Sequence, residues 1–260
     1  MHSIAVIALK GGVGKTTISL GLAGAAMQQG LRTLVVDIDP QANATLGLNP
    51  PKFRFTSSDV LADAREGVAG DAVVPSGWGE GVDVIPAESA LERRNTPGDA
   101  ESALRLRRSL RGVADSYDLV IYDCPPSLGE ITRNGLAAAT HGLVVTEPGY
   151  FSLRGAEQAL DAIGVVRDST NLRLRALGIV VNRMRPRVRE HRSRLAELAQ
   201  AYPQLLLDPP VPDRSAIQMA QGAGVPLHVL GKRSAGDTAR AFSELLDQAR
   251  SRMQPMTIKV

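Results

Sequence analysis

Cysteine occurs once in the 260 residues, at Cys124, so no internal disulfide can form and nothing ties the chain to an oxidising compartment. No run of about 18 apolar residues is present, so no stretch reads as a membrane-spanning helix. The apolar stretch Ile4 to Leu9 is short, lacks a basic leader and runs into Lys10, which is not the pattern of a secretory signal. Aromatic residues are scarce, at 3%. The core must therefore be built from Ala, Val, Leu and Ile, and such a core suits a parallel sheet covered by helices on both faces. No internal repeat, low-complexity linker, zinc finger, recognition-helix motif or aromatic stacking platform is visible. Sequence-specific reading of nucleic acid is therefore not expected. The expectation is a cytoplasmic chain of one domain, residues 1–260, with no membrane partner.

What is present is unevenly distributed. Net charge is +3, but residues 1–166 hold 14 Lys/Arg against 19 Asp/Glu, and residues 167–260 hold 16 against 8. A basic final third on a slightly acidic body points to a polyanionic partner. Continuous apolar runs predict strands at Ile4 to Ala8, Thr33 to Asp37, Val82 to Pro86, Leu119 to Asp123, Gly142 to Thr146 and Leu177 to Val181. Helical patterns lie between them, at Thr16 to Gln29, Ala103 to Val113, Gly155 to Val166, Glu190 to Ala201 and Thr238 to Arg252. The stretch Asn49 to Gly81 is broken by Pro and Gly and holds one helix, with Ser57 or Ser58 as its N-cap. Strands alternating with helices mean an α/β fold: a doubly wound, mostly parallel sheet flanked by helices.

The most informative stretch is Lys10-Gly11-Gly12-Val13-Gly14-Lys15-Thr16-Thr17, between the first strand and the first helix. Glycines there let successive backbone N–H groups converge on phosphate oxygens, and the helix N-terminus adds partial positive charge. Lys15 can reach the β and γ phosphates, and the Thr16 hydroxyl can ligate Mg²⁺. These features predict a P-loop NTPase fold. Such a loop needs no lysine at its first position, so spacing alone leaves Lys10 open between a solvated loop residue and a functional one.

Carboxylates stand where such a fold places its ligands, at the carboxyl ends of strands. Asp37 and Asp39 are two apart and point the same way on an extended chain. Asp123 ends the run Leu119-Val120-Ile121-Tyr122, the geometry of a Walker B acid that holds Mg²⁺ through water. Cys124 sits in an apolar setting and reads as structural.

Lys10 to Thr17 resembles the deviant Walker A motif of the ParA/MinD family of ATPases, and the chain is most similar to the short, Soj-like ParA group. Asp-Ile-Asp-Pro-Gln-Ala-Asn-Ala-Thr from Asp37 resembles the family's second nucleotide motif, and Asp123-Cys124-Pro125-Pro126 its Asp-x-Pro-Pro pattern. The resemblance implies ATP and Mg²⁺ as ligands. It implies that Lys10 crosses a dimer interface to the partner's phosphates, as an arginine finger does elsewhere. Asp39 would orient the attacking water, and Asp37 would support the Mg²⁺ shell or the loop. Asn182 would bond the adenine edge, and Pro212 and Asp213 would pack around the base.

The resemblance also implies a partition ATPase: an ATP-bound homodimer that binds double-stranded DNA nonspecifically, is nucleoid-associated, and is released when a ParB-like or other cargo adaptor stimulates slow hydrolysis. The stretch from Arg183 to Arg194 supplies basic residues, and on an extended chain Arg183, Arg185, Arg187 and Arg189 would share one side. Arg192, Arg214, Lys232 and Arg233 add to the same half. One departure matters: many relatives have a basic residue four positions after the proline matching Pro212, and here that position is Ala216. A MinD-like membrane-cycling regulator is the alternative, opposed by Pro255 in the C-terminal segment. A shared metal cluster would need more than one cysteine, and a small-molecule kinase would leave Lys10 unexplained. The loop starts at residue 10, so an N-terminal DNA-reading domain and autorepression are not expected. Residues 49–100 are assigned no role.

Overall fold

Each apolar run named above becomes a strand of one sheet in the computed structural model, which describes residues 2–96 and 101–254; side chains 232–234 lie outside the described residues. In chain order the elements are β1 (His2–Ile7), α1 (Lys15–Gln28), β2 (Thr33–Asp37), α2 (Asn43–Leu48), α3 (Ser57–Asp63), β3 (Val74–Pro75), β4 (Val82–Ile85) and α4 (Arg105–Ser109). There follow β5 (Leu119–Asp123), α5 (Glu130–Ala138), β6 (His141–Thr146), α6 (Ser152–Ser169), β7 (Arg175–Val181), α7 (Arg189–Ala201), α8 (Ser215–Ala223) and α9 (Lys232–Met253). The seven strands run in the order β3-β4-β2-β5-β1-β6-β7. All pairs are parallel except β3 with β4. Strand order reverses at β1, which lies between β5 and β6, and a crevice at the carboxyl ends follows from that topology.

The sheet is buried on both sides because alternate residues of each strand face opposite ways. Ile4, Val6, Val35 and Ile121 pack into one core with residues of α1, α8 and α9. Ala5, Ile7, Leu34 and Val36 pack into the other, with residues of α3 to α7. Among the described residues no helix is long and apolar enough to cross a membrane.

Two local expectations are corrected. Thr56, not Ser57 or Ser58, is the N-cap of α3, because Thr56 and Asp59 form a reciprocal capping box. The helix expected over Ala103 to Val113 is a short 3₁₀ turn, Ser102–Leu104, followed by α4 alone. The Ser109 hydroxyl bonds back to the Arg105 carbonyl, and Gly112 turns left-handed at φ 75. Helices α2, α5 and α8 were not foreseen. The C-terminal segment with Pro255 lies outside the described residues.

Helices α1 and α9 touch through a glycine. A Cβ on Gly21 would meet the ring of Phe242, which is 1% exposed. Helix propensity alone predicts that Gly21→Ala stabilises. Packing predicts the reverse, a loss of about 1–3 kcal/mol in urea unfolding. An unchanged or higher midpoint would contradict the packing account.

Candidate nucleotide site

The loop between β1 and α1 owes its shape to two left-handed glycines, Gly12 at φ 80 and Gly14 at φ 93. Gly14 is also the residue before α1, so the helix dipole opens on the loop. No side chain could replace it: a Cβ there would meet the Asn182 amide nitrogen.

Behind the loop lies a buried charged cluster. Lys15 is 6% exposed and forms no hydrogen bond or ion pair among the described residues. Burial lowers its pKa, although Asp123 and Asp39 lie close enough to oppose that. A largely buried lysine with no direct partner among the described residues calls for an anion at its ammonium. Asp123 is fully buried, and its two oxygens accept from Thr16 Oγ1 at 2.7 Å and Ser19 Oγ at 2.8 Å. Ser19 was missed in the sequence, yet it lies three residues after Thr16 on the same helix face.

Asp37 and Asp123 are register partners at the ends of β2 and β5. The Asp37 carboxylate accepts from the Thr45 backbone N–H at 2.8 Å, the Thr45 hydroxyl at 2.7 Å and the Asp39 N–H at 3.1 Å. These bonds fasten the loop that carries Asp39. Asp39 is 6% exposed, accepts from Gln41 N–H at 2.9 Å, and has its pKa raised by burial against the pull of Lys15. Lys15, Thr16, Asp37, Asp39 and Asp123 are thus brought together.

Lys10 is turned outward. Its side chain is 63% exposed, and its Nζ donates to Glu147 Oε1 at 2.5 Å. Two lysines of one short loop therefore have opposite environments.

Asn182 is 1% exposed, and its Nδ2 donates to the Val13 carbonyl at 2.8 Å. Its Oδ1 has no partner among the described residues. The structure thus directs this amide at the phosphate loop. Pro212 pairs with Met184, and the Asp213 carboxylate accepts from Arg185 Nε at 2.6 Å.

The basic segment differs from the extended row expected of it. Arg183 is left-handed at φ 57, Met184 is 4% exposed, and Val188 N–H bonds to Arg185 O at 2.9 Å in a turn before α7. Pairing of Met184 with Pro212 breaks the alternation. Arg183 lies 3.8 Å from Glu147 and Arg185 pairs with Asp213. Arg192 donates to Pro186 O, and Arg194 to Glu190 and Glu197. Arg187 and Arg189 are exposed and form no ion pair among the described residues. Arg214 is exposed beside the Asp213 carbonyl. Lys232 and Arg233 open α9, with side chains outside the described residues. Ala216 is buried, so no basic side chain could occupy that position as the chain is packed.

The family profile AAA_31, an AAA domain, matches residues 1–176. The sporulation initiation inhibitor protein Soj of Bacillus subtilis is 32% identical over 90% of this chain and 92% of its own. The chromosome-partitioning ATPase Soj of Thermus thermophilus is 32% identical over 98% and 97%. Among solved structures, cobyrinic acid a,c-diamide synthase of Mycobacterium smegmatis with bound ADP and magnesium is 31% identical, with a TM-score of 0.77 over 95% of this chain and 93% of that one.

The buried acids make a pH prediction. Burial pushes Asp37 up to about 7 and Asp123 up to about 6, from an ordinary 3.8. The folded chain then binds more protons than the unfolded one from about pH 4 to about pH 7, so these groups lose stability as pH rises through that window. In protein free of nucleotide and magnesium, the urea midpoint of Asp123→Asn should fall less than that of wild type between about pH 5 and about pH 8. An equal or steeper fall in the variant would contradict the raised carboxyls.

Proposed function

Because the chain belongs to the ParA/MinD family of deviant Walker A ATPases, we propose that residues 1–260 act as one ATPase domain that positions DNA or another cargo. The contrast between Lys15 and Lys10 carries this reading. Lys15 is buried behind the loop, where a bound β–γ phosphate would give it the counter-charge it lacks. Lys10 is exposed and pairs with Glu147, a position from which it would reach a second subunit's phosphates.

Backbone N–H groups of Gly11, Gly12, Val13 and Gly14, with Thr16 and Thr17 at the helix start, would hold ATP. Thr16 and Asp123 would hold Mg²⁺, which neutralises charge on the β and γ oxygens when bound. Their mutual hydrogen bond already turns hydroxyl and carboxylate toward one another. Asp37 has its acceptors engaged by Thr45 and Asp39, so its task is to fix the Asp39 loop. Asp39 is left to orient and take the proton of the attacking water. Asn182 holds the loop through Val13, and its Oδ1, buried and without a partner among the described residues, would accept from the base amine. Pro212 and Asp213 lie beside it and would border the base.

The ATP-bound form would be a homodimer, because Lys10 completes a site only across subunits. Turnover would be slow and Mg²⁺-dependent until an adaptor, ParB-like or other, stabilises the closed form. The dimer would bind duplex DNA without reading bases, in keeping with a cytoplasmic, nucleoid-associated cycle. Arg187, Arg189 and Arg214 are the arginines of the basic half best placed for phosphate contact, since Arg183, Arg185 and Arg194 already face carboxylates.

Fluorescence anisotropy on nonspecific duplex DNA tests this. Binding should require ATP and Mg²⁺, be absent with ADP, and weaken with salt. The double variant R187A/R189A should flatten the log–log salt slope by about 0.9 for each phosphate that is no longer neutralised. Binding that is equal in all nucleotide states would contradict the gated dimer. An unchanged slope in the variant would remove this segment from the DNA face.

A further inference from the structure

Glu147 immediately follows β6 and belongs to none of the motifs above. Its Oε1 accepts from Lys10 Nζ at 2.5 Å, and its Oε2 faces Arg183 Nη1 at 3.8 Å. Two cations far apart in the sequence thus meet one carboxylate, itself 28% exposed. Lys10 and Glu147 share a cleft of about 450 Å³ beside the phosphate loop, with Tyr150 and Phe151 at its lip.

Arg183 reaches this carboxylate from a conformation unusual for a non-glycine residue, φ 57. Its neighbours are fixed. Asn182 N–H bonds to Thr146 O at 2.8 Å, and Met184 N–H to Val211 O at 2.9 Å. Both neighbouring side chains are buried. The strained backbone therefore lifts Arg183 out of an otherwise pinned segment and toward Glu147. Backbone strain of this kind clusters at active sites, ligand clamps and switch regions.

We propose that Glu147 is a positioning residue that holds Lys10 on its own subunit and exchanges it for Arg183 when Lys10 moves to a partner's phosphates. This rests on the reading of Lys10 as a group that acts across subunits. Lys10 holds one oxygen of the carboxylate closely, at 2.5 Å, while Arg183 stands off the other at 3.8 Å. Once Lys10 leaves, Arg183 has it alone. An ion pair this exposed is weak, so a phosphate bearing several negative charges outcompetes it. Arg183 is then part of the latch and not of the polyanion face.

The first test needs neither ATP nor a dimer. Full-length, nucleotide-free protein is treated with an amine-acetylating reagent, and labelling of Lys10 is followed by peptide mass spectrometry relative to Lys52, which is exposed. E147Q should raise the Lys10-to-Lys52 rate ratio about three-fold, the size expected when an exposed ion pair is removed. R183A should lower it, because Lys10 then has the carboxylate to itself. E147D should restore part of the wild-type ratio. An unchanged ratio in E147Q, or a rise in R183A, would overturn the latch. A second arm measures the ATP-dependent dimer by sedimentation. E147Q should tighten the dimer in the wild-type background and leave it unchanged when Lys10 is replaced by Ala. Equal effects in both backgrounds would mark a merely structural role and overturn the proposal. Labelling that shifts as expected without an ATP-dependent dimer in any variant would uphold the latch and overturn the cross-subunit reading instead.

Discussion

Two carboxylates held side by side in a dry interior set the terms for the rest of this site. Parallel register places Asp37 beside Asp123 at the ends of β2 and β5, both with no exposure to solvent. Asp39 lies nearby and is almost as buried, and among the described residues the cation beside them is Lys15. Like charges this close in low dielectric are unfavourable. The fold meets the cost with donors, namely Thr45 and Asp39 N–H for Asp37, and Thr16 and Ser19 for Asp123. Each donor is also a structural anchor. Thr45 belongs to α2, and Thr16 and Ser19 to α1, so the acids tie both helices to the sheet. The arrangement lowers the stability of the protein standing alone, and it leaves a site organised around a cation and an anion from outside.

The outer part of the site follows different rules. Lys10, Glu147, Arg183, Arg185 and Asp213 are held by exposed ion pairs, each contributing on the order of 0–1 kcal/mol. Backbone contacts join this layer to the buried one. Asn182 grips Val13, Met184 pairs with Pro212, and Asp213 N–H bonds to Met184 O. Gln221 on α8 donates to Thr17 at 3.2 Å, which links the helix after Arg214 to the phosphate loop. A rigid inner layer with a loosely paired outer one suits a switch, because only the outer pairs need to rearrange.

Much of this was legible in the sequence because continuous apolar runs define buried parallel strands. Thr33 to Asp37 and Leu119 to Asp123 were read to the residue, and with them the positions of Asp37 and Asp123 at strand ends. The phosphate loop was legible because its glycines do work that other residues cannot. Helices α2 and α5 were not legible, because at 6 and 9 residues they are too short to show a helical period, and each also carries a glycine that packing demands: a Cβ on Gly47 would meet Leu20, and one on Gly135 would meet Cys124 and Ile38. The pairing of Glu147 with Lys10 spans 137 positions and leaves no local signal. The even alternation of arginines from Arg183 suggested one basic row, but a buried Met184 within it decided the backbone path. Periodicity predicts a face only where nothing in the segment is itself wanted by the core.

The most direct test of the account is subunit complementation. Two variants are prepared, one with Lys10→Ala and one with Asp39→Ala, each expected to be inactive alone. On mixing with ATP and Mg²⁺, a mixed dimer contains one site with its own Asp39 and with Lys10 from the partner. Phosphate release should return in the mixture, in proportion to the fraction of mixed dimers. If the mixture stays as inactive as the separate variants while both still bind ATP and sediment as mixed dimers, Lys10 does not act across subunits and the central claim fails.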